Sequence, residues 1–189
     1  MLQQTRVEAV VMKWCEWMTS FPTVLDLAAA APDQVNAHWA GLGFYRRARS
    51  LHKAAQYVVD TLDGRIPETV QELKELPGVG PYTASAIASI AFNVTVPVVD
   101  GNVCRVLSRL RGIAQTVKAP KFKDRYAWDL AQQLVTEHAG QVNQALMELG
   151  ATYCAPSGTG TDPDDPLRDL YWSTQLGREA SELIENNVS

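Results

Sequence analysis

Leu76-Pro77-Gly78-Val79-Gly80-Pro81-Tyr82-Thr83-Ala84 is the stretch whose reading decides the fold. Two glycines one residue apart stand between two segments of helical spacing: Val70, Leu73 and Leu76 before them, Ala84, Ile87, Ala88 and Ala91 after them. Pro81 suits the first turn of the second helix, where its missing N–H is not needed. The glycines make a tight hairpin whose bare backbone, placed at a helix N-terminus, can approach a phosphate closely. A plain helix-turn-helix connection has the same composition, so taken alone the element leaves both readings open.

Helical periodicity extends in both directions. Upstream, Val7, Val10, Val11, Trp14, Cys15 and Met18 form one stripe, and Leu51, Ala54, Ala55, Val58, Val59 and Leu62 form another that Gly64 closes. Between them, Asp33 is the expected N-cap of a helix carrying Val35 and Trp39, which runs out at Gly41-Leu42-Gly43. Downstream, Val94 to Val99 is too short for a helix and reads as an extended link, with Asp100 placed to cap a helix of Val103, Val106, Leu107 and Leu110. Two further helices are expected at about 124–136 and 141–149, the second ended by Gly150. Residues 155–166 read as a loop, followed by an acidic tail of weak helical character. No strand pattern or internal repeat is visible. The expectation is an all-α chain of two helical domains, residues 1–94 and 95–189.

At 189 residues, with 46% apolar and 20% charged side chains, the chain has enough core to fold without a disulfide or a structural metal. No apolar run approaches the roughly 18 residues that span a bilayer, and the first residues read neither as a signal peptide nor as a transit sequence. Cys15, Cys104 and Cys154 are widely spaced and odd in number, which suits a reducing compartment. The net charge of −4 argues at first against nucleic acid. Its distribution reverses that argument. Residues 151–189 hold two basic and seven acidic groups, whereas residues 1–150 hold 15 basic and 14 acidic ones. Within the latter, Arg46, Arg47, Arg49, His52 and Lys53 occur in eight positions without an acid, either as a solvated helix face or as a phosphate-binding patch.

Val96-Pro97-Val98-Val99-Asp100-Gly101-Asn102-Val103 places a carboxylate at the junction of the two domains. Capping is the ordinary role of such an aspartate.

Several motifs in register then define a resemblance: Met1-Leu2-Gln3-Gln4-Thr5-Arg6-Val7, Trp39 to Arg49, the hairpin, Asp100 to Val103, and Asn143 to Thr152. From residue 1 to about 154 the chain resembles adenine DNA glycosylases of the MutY type, helix-hairpin-helix base-excision enzymes related to endonuclease III. The resemblance implies the helix-hairpin-helix glycosylase fold, a six-helix-barrel-like first domain with the hairpin at 76–84, and an active-site cleft between the two domains. It implies a monofunctional enzyme that hydrolyses the N-glycosidic bond of adenine mispaired with 8-oxoguanine or guanine. Its partner would be double-stranded DNA and its state monomeric. A eukaryotic relative would be nuclear, or also mitochondrial, and any other cytoplasmic. By the same resemblance Asp100 stabilises or traps the sugar cation, Asn102 orients the catalytic groups, and Tyr82 lines the adenine pocket. Tyr82 stands where the endonuclease III branch has its sugar-attacking lysine, so lyase chemistry is not implied. Gln3 and Gln4 would reach the lesion side of the duplex, with Leu2 and Thr5 also in contact with DNA and Gly78 and Gly80 at its backbone. Phe44 would wedge into the base stack beside Tyr45, Arg46 and Arg49; core aromatics after a glycine turn are the plainer reading of Phe44 and Tyr45.

Two departures from the family pattern carry expectations of their own. The family's general acid is a glutamate two residues ahead of the position of Met1, so the polypeptide as written is expected to be impaired or to act only as a DNA-binding module. The family holds a 4Fe–4S cluster on four cysteines beginning at the position of Cys154; the other three positions fall at Thr161, Asp164 and Leu170. One thiolate does not hold such a cluster, so none is expected, and the second domain ends in a degenerate iron–sulfur lobe and acidic tail. The resemblance to the family stops short of its C-terminal lesion-recognition domain within these 189 residues, so DNA binding in general, more than preference for 8-oxoguanine, is expected of them.

Overall fold

The computed structural model describes residues 1, 2, 5, 7–113, 125–156 and 162–171. Among these the regular structure is entirely helical: α1 (Val7–Ser20), α2 (Val24–Ala29), α3 (Pro32–His38), α4 (Arg46–Thr61), α5 (Val70–Leu73), α6 (Pro81–Ala91), α7 (Gly101–Leu110), α8 (Ala127–Leu134) and α9 (Ala139–Ala151), with a 3₁₀ turn at Arg168–Leu170. The chain divides into two compact units, Met1–Ala84 and Ser85–Ser189, with the division inside α6.

In the first unit, α1, α3 and α4 bury Val10, Trp17, Val35, Ala48 and Ala55 together with Phe21, Trp39 and Leu42. Trp17 stands edge-on to Phe21 at 5.0 Å and to Trp39 at 5.6 Å, the geometry that aromatic quadrupoles favour. α2 was not legible in the periodicity, because six residues show too little of a stripe. Its start is nonetheless encoded, since Thr23 and Asp26 form a reciprocal capping box. The cap of α3 corrects a sequence expectation. Asp33 lies inside the first turn and Ala31 is the N-cap, because Pro32 presets the first helical position and Gln34 Oε1 accepts the Ala31 N–H at 3.0 Å.

In the second unit, α7, α8 and α9 pack around Val103, Cys104, Leu107, Ala127 and Ala131. Cys104 is fully buried in this core. The 94–99 link has no regular structure, as expected, and buried Asn143 serves its backbone. Asn143 Oδ1 accepts from Val98 N at 3.0 Å, and its Nδ2 donates to Val96 O at 2.9 Å and Ser89 Oγ at 3.0 Å. A buried link without a sheet partner needs such a side chain, because each unsatisfied group costs about 1–3 kcal/mol. α9 also differs from expectation, beginning at Ala139 and running through Gly150 to Ala151. The acidic tail expected beyond Tyr171 lies outside the described residues.

Candidate active site

Asp100 is the N-cap of α7, with extended backbone, and its two carboxylate oxygens do different work. Oδ1 accepts the Val103 N–H at 2.8 Å, the ordinary cap, while Oδ2 accepts from Asn102 Nδ2 at 3.2 Å. The cap therefore uses one oxygen of this carboxylate and leaves the other to Asn102. Asn102 is oriented in turn by Arg105, whose Nη2 donates to Asn102 Oδ1 at 2.7 Å. A guanidinium only donates, so it selects the amide oxygen and leaves the amide nitrogen for Asp100. Arg105 also bonds the carbonyls of Gly150 at 2.6 Å, Cys154 and Gly101, which ties the α7 N-terminus to the end of α9. Gly150 explains the closeness: a Cβ there would lie 2.6 Å from Asn102 Cβ. The sequence reading of Gly150 as a helix stop is thus replaced by a packing reason.

The hairpin glycines are not equivalent. Gly78 has φ +79°, and a Cβ on it would lie 2.5 Å from Ser50 Cβ on α4, so it is fixed by backbone conformation and close packing. Gly80 has nothing within 4 Å of a Cβ position. Its bareness faces open space and suits close approach by a ligand backbone. Tyr82 follows, half-buried, in the first turn of α6.

A second turn gathers the other predicted contacts. Gly41, Gly43 and Phe44 all have positive φ, at +90°, +69° and +45°. Trp39 Nε1 donates to Gly43 O at 3.0 Å and holds the turn from below. Phe44 is 64% exposed and Tyr45 is 42% exposed, which removes the core-aromatic reading of both. Leu2 is exposed, and Thr5 Oγ1 reaches Leu42 O at 3.4 Å, so the N-terminal segment borders the same turn. Gln3 and Gln4 lie outside the described residues. Arg46 and Arg49 are exposed at the start of α4, whose first turn holds no acid. Basic groups there oppose the helix dipole and add to the positive potential of that helix end. Arg47 turns inward instead.

The resemblance implies a 4Fe–4S cluster, and the residues of the last lobe decide whether one fits. Cys154 is fully buried, and its Sγ accepts from Arg109 Nη1 at 3.2 Å. It packs with Val106 and Tyr171. Tyr171 OH donates to Asp165 Oδ2 at 2.8 Å, and Asp165 Oδ1 accepts the Leu167 N–H at 2.9 Å. Burial, the Asp165 hydrogen bond and neighbouring Cys154 push the Tyr171 phenol well above its ordinary pKa. Asp164 and Leu170, at two ligand positions, are exposed and bear no thiol, and a leucine side chain has no donor atom. Thr161 lies outside the described residues. Of the other thiols, Cys15 is exposed on α1 and Cys104 sits in the α7 core. The donor set does not fit a four-thiolate cluster. Arg105, Asp165 and Tyr171 were not singled out in the sequence; their only signal was that charged or hydroxylated residues accompany the expected lobe.

Comparison with known proteins places the chain in a family. Residues 1–133 match the family model described as HhH-GPD superfamily base excision DNA repair protein. The chain is 51% identical over 158 residues to the adenine DNA glycosylases of Rattus norvegicus and Homo sapiens, covering 82% of this chain. It spans about 30% of the length of those relatives. Among solved structures it is similar to a thermostable thymine-DNA glycosylase, with a TM-score of 0.79 at 24% identity, covering 93% of this chain and 80% of that one. The chain belongs to the HhH-GPD superfamily of base excision DNA repair proteins.

Proposed function

We propose that this chain forms the catalytic and hairpin portion of an adenine DNA glycosylase, which hydrolyses the N-glycosidic bond of adenine opposite 8-oxoguanine or guanine in duplex DNA. The observation that carries the reading is Asp100. It is half-buried, one oxygen is held by Val103 N–H, and the other is aimed by Asn102 through Arg105. A carboxylate fixed in this way stabilises the positive charge that grows on the sugar as the bond to adenine breaks, without having to reorganise during the step. The bond electrons leave with adenine, which takes a proton from solvent; water adds to the sugar carbon and gives up a proton to solvent, leaving a hydroxyl there. The ring of Phe44, exposed on a constrained turn, is suited to fill the stack when the base leaves it. Tyr82 in place of an amine nucleophile favours hydrolysis over Schiff-base chemistry.

The lobe after α9 closes without a cluster in this reading. Arg109, Cys154, Asp165 and Tyr171 satisfy one another, and the remaining ligand positions offer no thiolate.

Single-turnover release of adenine, from a duplex bearing adenine opposite 8-oxoguanine, tests the reading. Release that depends on Asp100 is expected. Tight binding with no release supports a non-catalytic DNA-binding module instead, and release unaffected by Asp100→Asn overturns the role of Asp100.

A further inference from the structure

Arg47 lies within the basic run of α4 yet makes none of the contacts expected of a solvated arginine. Its Nη1 donates to Met1 O at 2.9 Å. Its Nη2 is shared among Thr5 Oγ1 at 2.9 Å, Leu42 O at 2.9 Å and Gly43 O at 3.3 Å. The guanidinium carbon stands 5.3 Å from the Trp39 ring and 5.6 Å from the Phe44 ring, within cation–π range of both. These acceptors belong to two segments: the residues flanking Gln3 and Gln4, and the turn that presents Phe44. Phe44 itself sits at φ +45°, a conformation that disfavours a side chain by about 1–2 kcal/mol per residue and persists only where neighbours enforce it. The Arg47 amide also donates to Phe44 O at 2.9 Å, so the same residue holds both sides of the strained position.

We propose that Arg47 is a positioning residue that locks the Phe44 turn to the chain on either side of Gln3 and Gln4, so that wedging by Phe44 and contact by the N-terminal segment occur as one event. The inference rests on the glycosylase reading, because it assigns Phe44 the part of the extruding ring. A planar, five-donor fork serves this geometry. A lysine keeps the charge but does not reach four acceptors on two segments in one plane.

The test uses a duplex with 2-aminopurine opposite 8-oxoguanine, whose emission rises when that base leaves the stack. Arg47→Lys is compared with Arg46→Gln and Phe44→Leu. Arg46→Gln is expected to weaken binding and lower the salt slope by about one unit, as a phosphate contact does, with emission at saturation retained. Arg47→Lys is expected to leave the salt slope unchanged and to lower emission at saturation about threefold, and combining it with Phe44→Leu is expected to add little, the mark of residues acting as a unit. Amide hydrogen exchange gives an independent readout. In Arg47→Lys, residues 1–5 and 41–45 are expected to exchange faster together while α1, α3 and α4 stay protected. Thr5→Val, which removes one acceptor, is the milder variant and is expected to act in the same direction.

Full emission in Arg47→Lys, or a lowered salt slope like that of Arg46→Gln, overturns the proposal. So does faster exchange throughout the helices, which marks a merely structural arginine. If the unsubstituted protein binds but emission never rises, the glycosylase reading falls and this inference falls with it. A rise in that protein that Phe44→Leu abolishes and Arg47→Lys does not defeats the Arg47 assignment alone.

Discussion

The two units use arginine in the same way and end in opposite chemistry. In the first, Arg47 gathers Met1 O, Leu42 O, Gly43 O and Thr5 Oγ1 and finishes under the exposed ring of Phe44. In the second, Arg105 gathers Gly101 O, Gly150 O and Cys154 O and finishes, through Asn102, on the carboxylate of Asp100. The first arrangement aims an apolar surface outward, and the second fixes a negative charge in place. An arginine in a basic run is therefore not by itself a phosphate contact. Arg47, Arg105 and Arg109 all direct donors to groups of their own unit, whereas Arg46 and Arg49 are exposed.

The carboxylate end of this comparison carries the largest expected effect. Asp100→Asn retains a good N-cap, since asparagine caps as well as aspartate, but removes the charge. Adenine release is expected to fall by about 10²- to 10³-fold, with the melting temperature little changed. A large loss of stability in this variant would show that the cap is the main role of the residue. Next comes Arg105→Gln, which frees the Asn102 amide to turn and leaves the Gly150 and Cys154 carbonyls without their donor. A rate loss of about 10- to 100-fold is expected from misorientation, together with a stability loss of about 1–3 kcal/mol. Rates unchanged in the face of that destabilisation would separate Arg105 from Asp100.

The lobe behind Arg105 offers a smaller effect that is read by pH. The folded state keeps the Tyr171 proton above pH 10.0, where an exposed phenol gives it up. The native state then binds more protons than the unfolded chain, so this contribution is intact below pH 10 and declines as pH rises past it, by at most about 1.4 kcal/mol per unit. Tyr171→Phe is expected to abolish that slope and to cost about 1–2 kcal/mol at neutral pH, because Asp165 keeps its burial and loses a donor. Urea unfolding at pH 7 and pH 10.5 measures both.

What the sequence shows of all this follows physical scale. Helices with a long stripe, such as α4 and α7, were legible because periodicity accumulates over three or four turns; the α1 stripe located its helix but not its buried face, since Val7, Val11, Trp14, Cys15 and Met18 are exposed and Trp17 is buried beside Val10. The six-residue α2 was not, and the α3 cap was misplaced because Pro32 and Gln34 act over a shorter range than the acidic preference that pointed to Asp33. Asp100 was legible since it both caps and follows a break. Arg105 and Arg47 were legible only as charge, because most of their acceptors are backbone carbonyls, which every residue has. Gly150 was read as a stop because the reason for it, the 2.6 Å approach to Asn102, lies 48 positions away in the chain.

The hairpin gives the smallest and sharpest contrast, because its two glycines separate folding from contact within three residues. Gly78→Ala places a side chain at φ +79° against Ser50, and a loss of about 1–3 kcal/mol is expected. Gly80→Ala meets no atom within 4 Å, so stability is expected to hold, or to rise by about 0.4–1 kcal/mol as the unfolded chain loses freedom. If the bare backbone exists for a phosphate, the same methyl intrudes where the ligand sits, and DNA affinity is expected to fall about threefold, or about 0.7 kcal/mol. Stability and binding then move in opposite directions in one variant, a result that packing alone does not produce. Equal affinity in Gly80→Ala and the parent chain would remove the hairpin from the DNA contact and leave that role to the Phe44 turn and the basic end of α4.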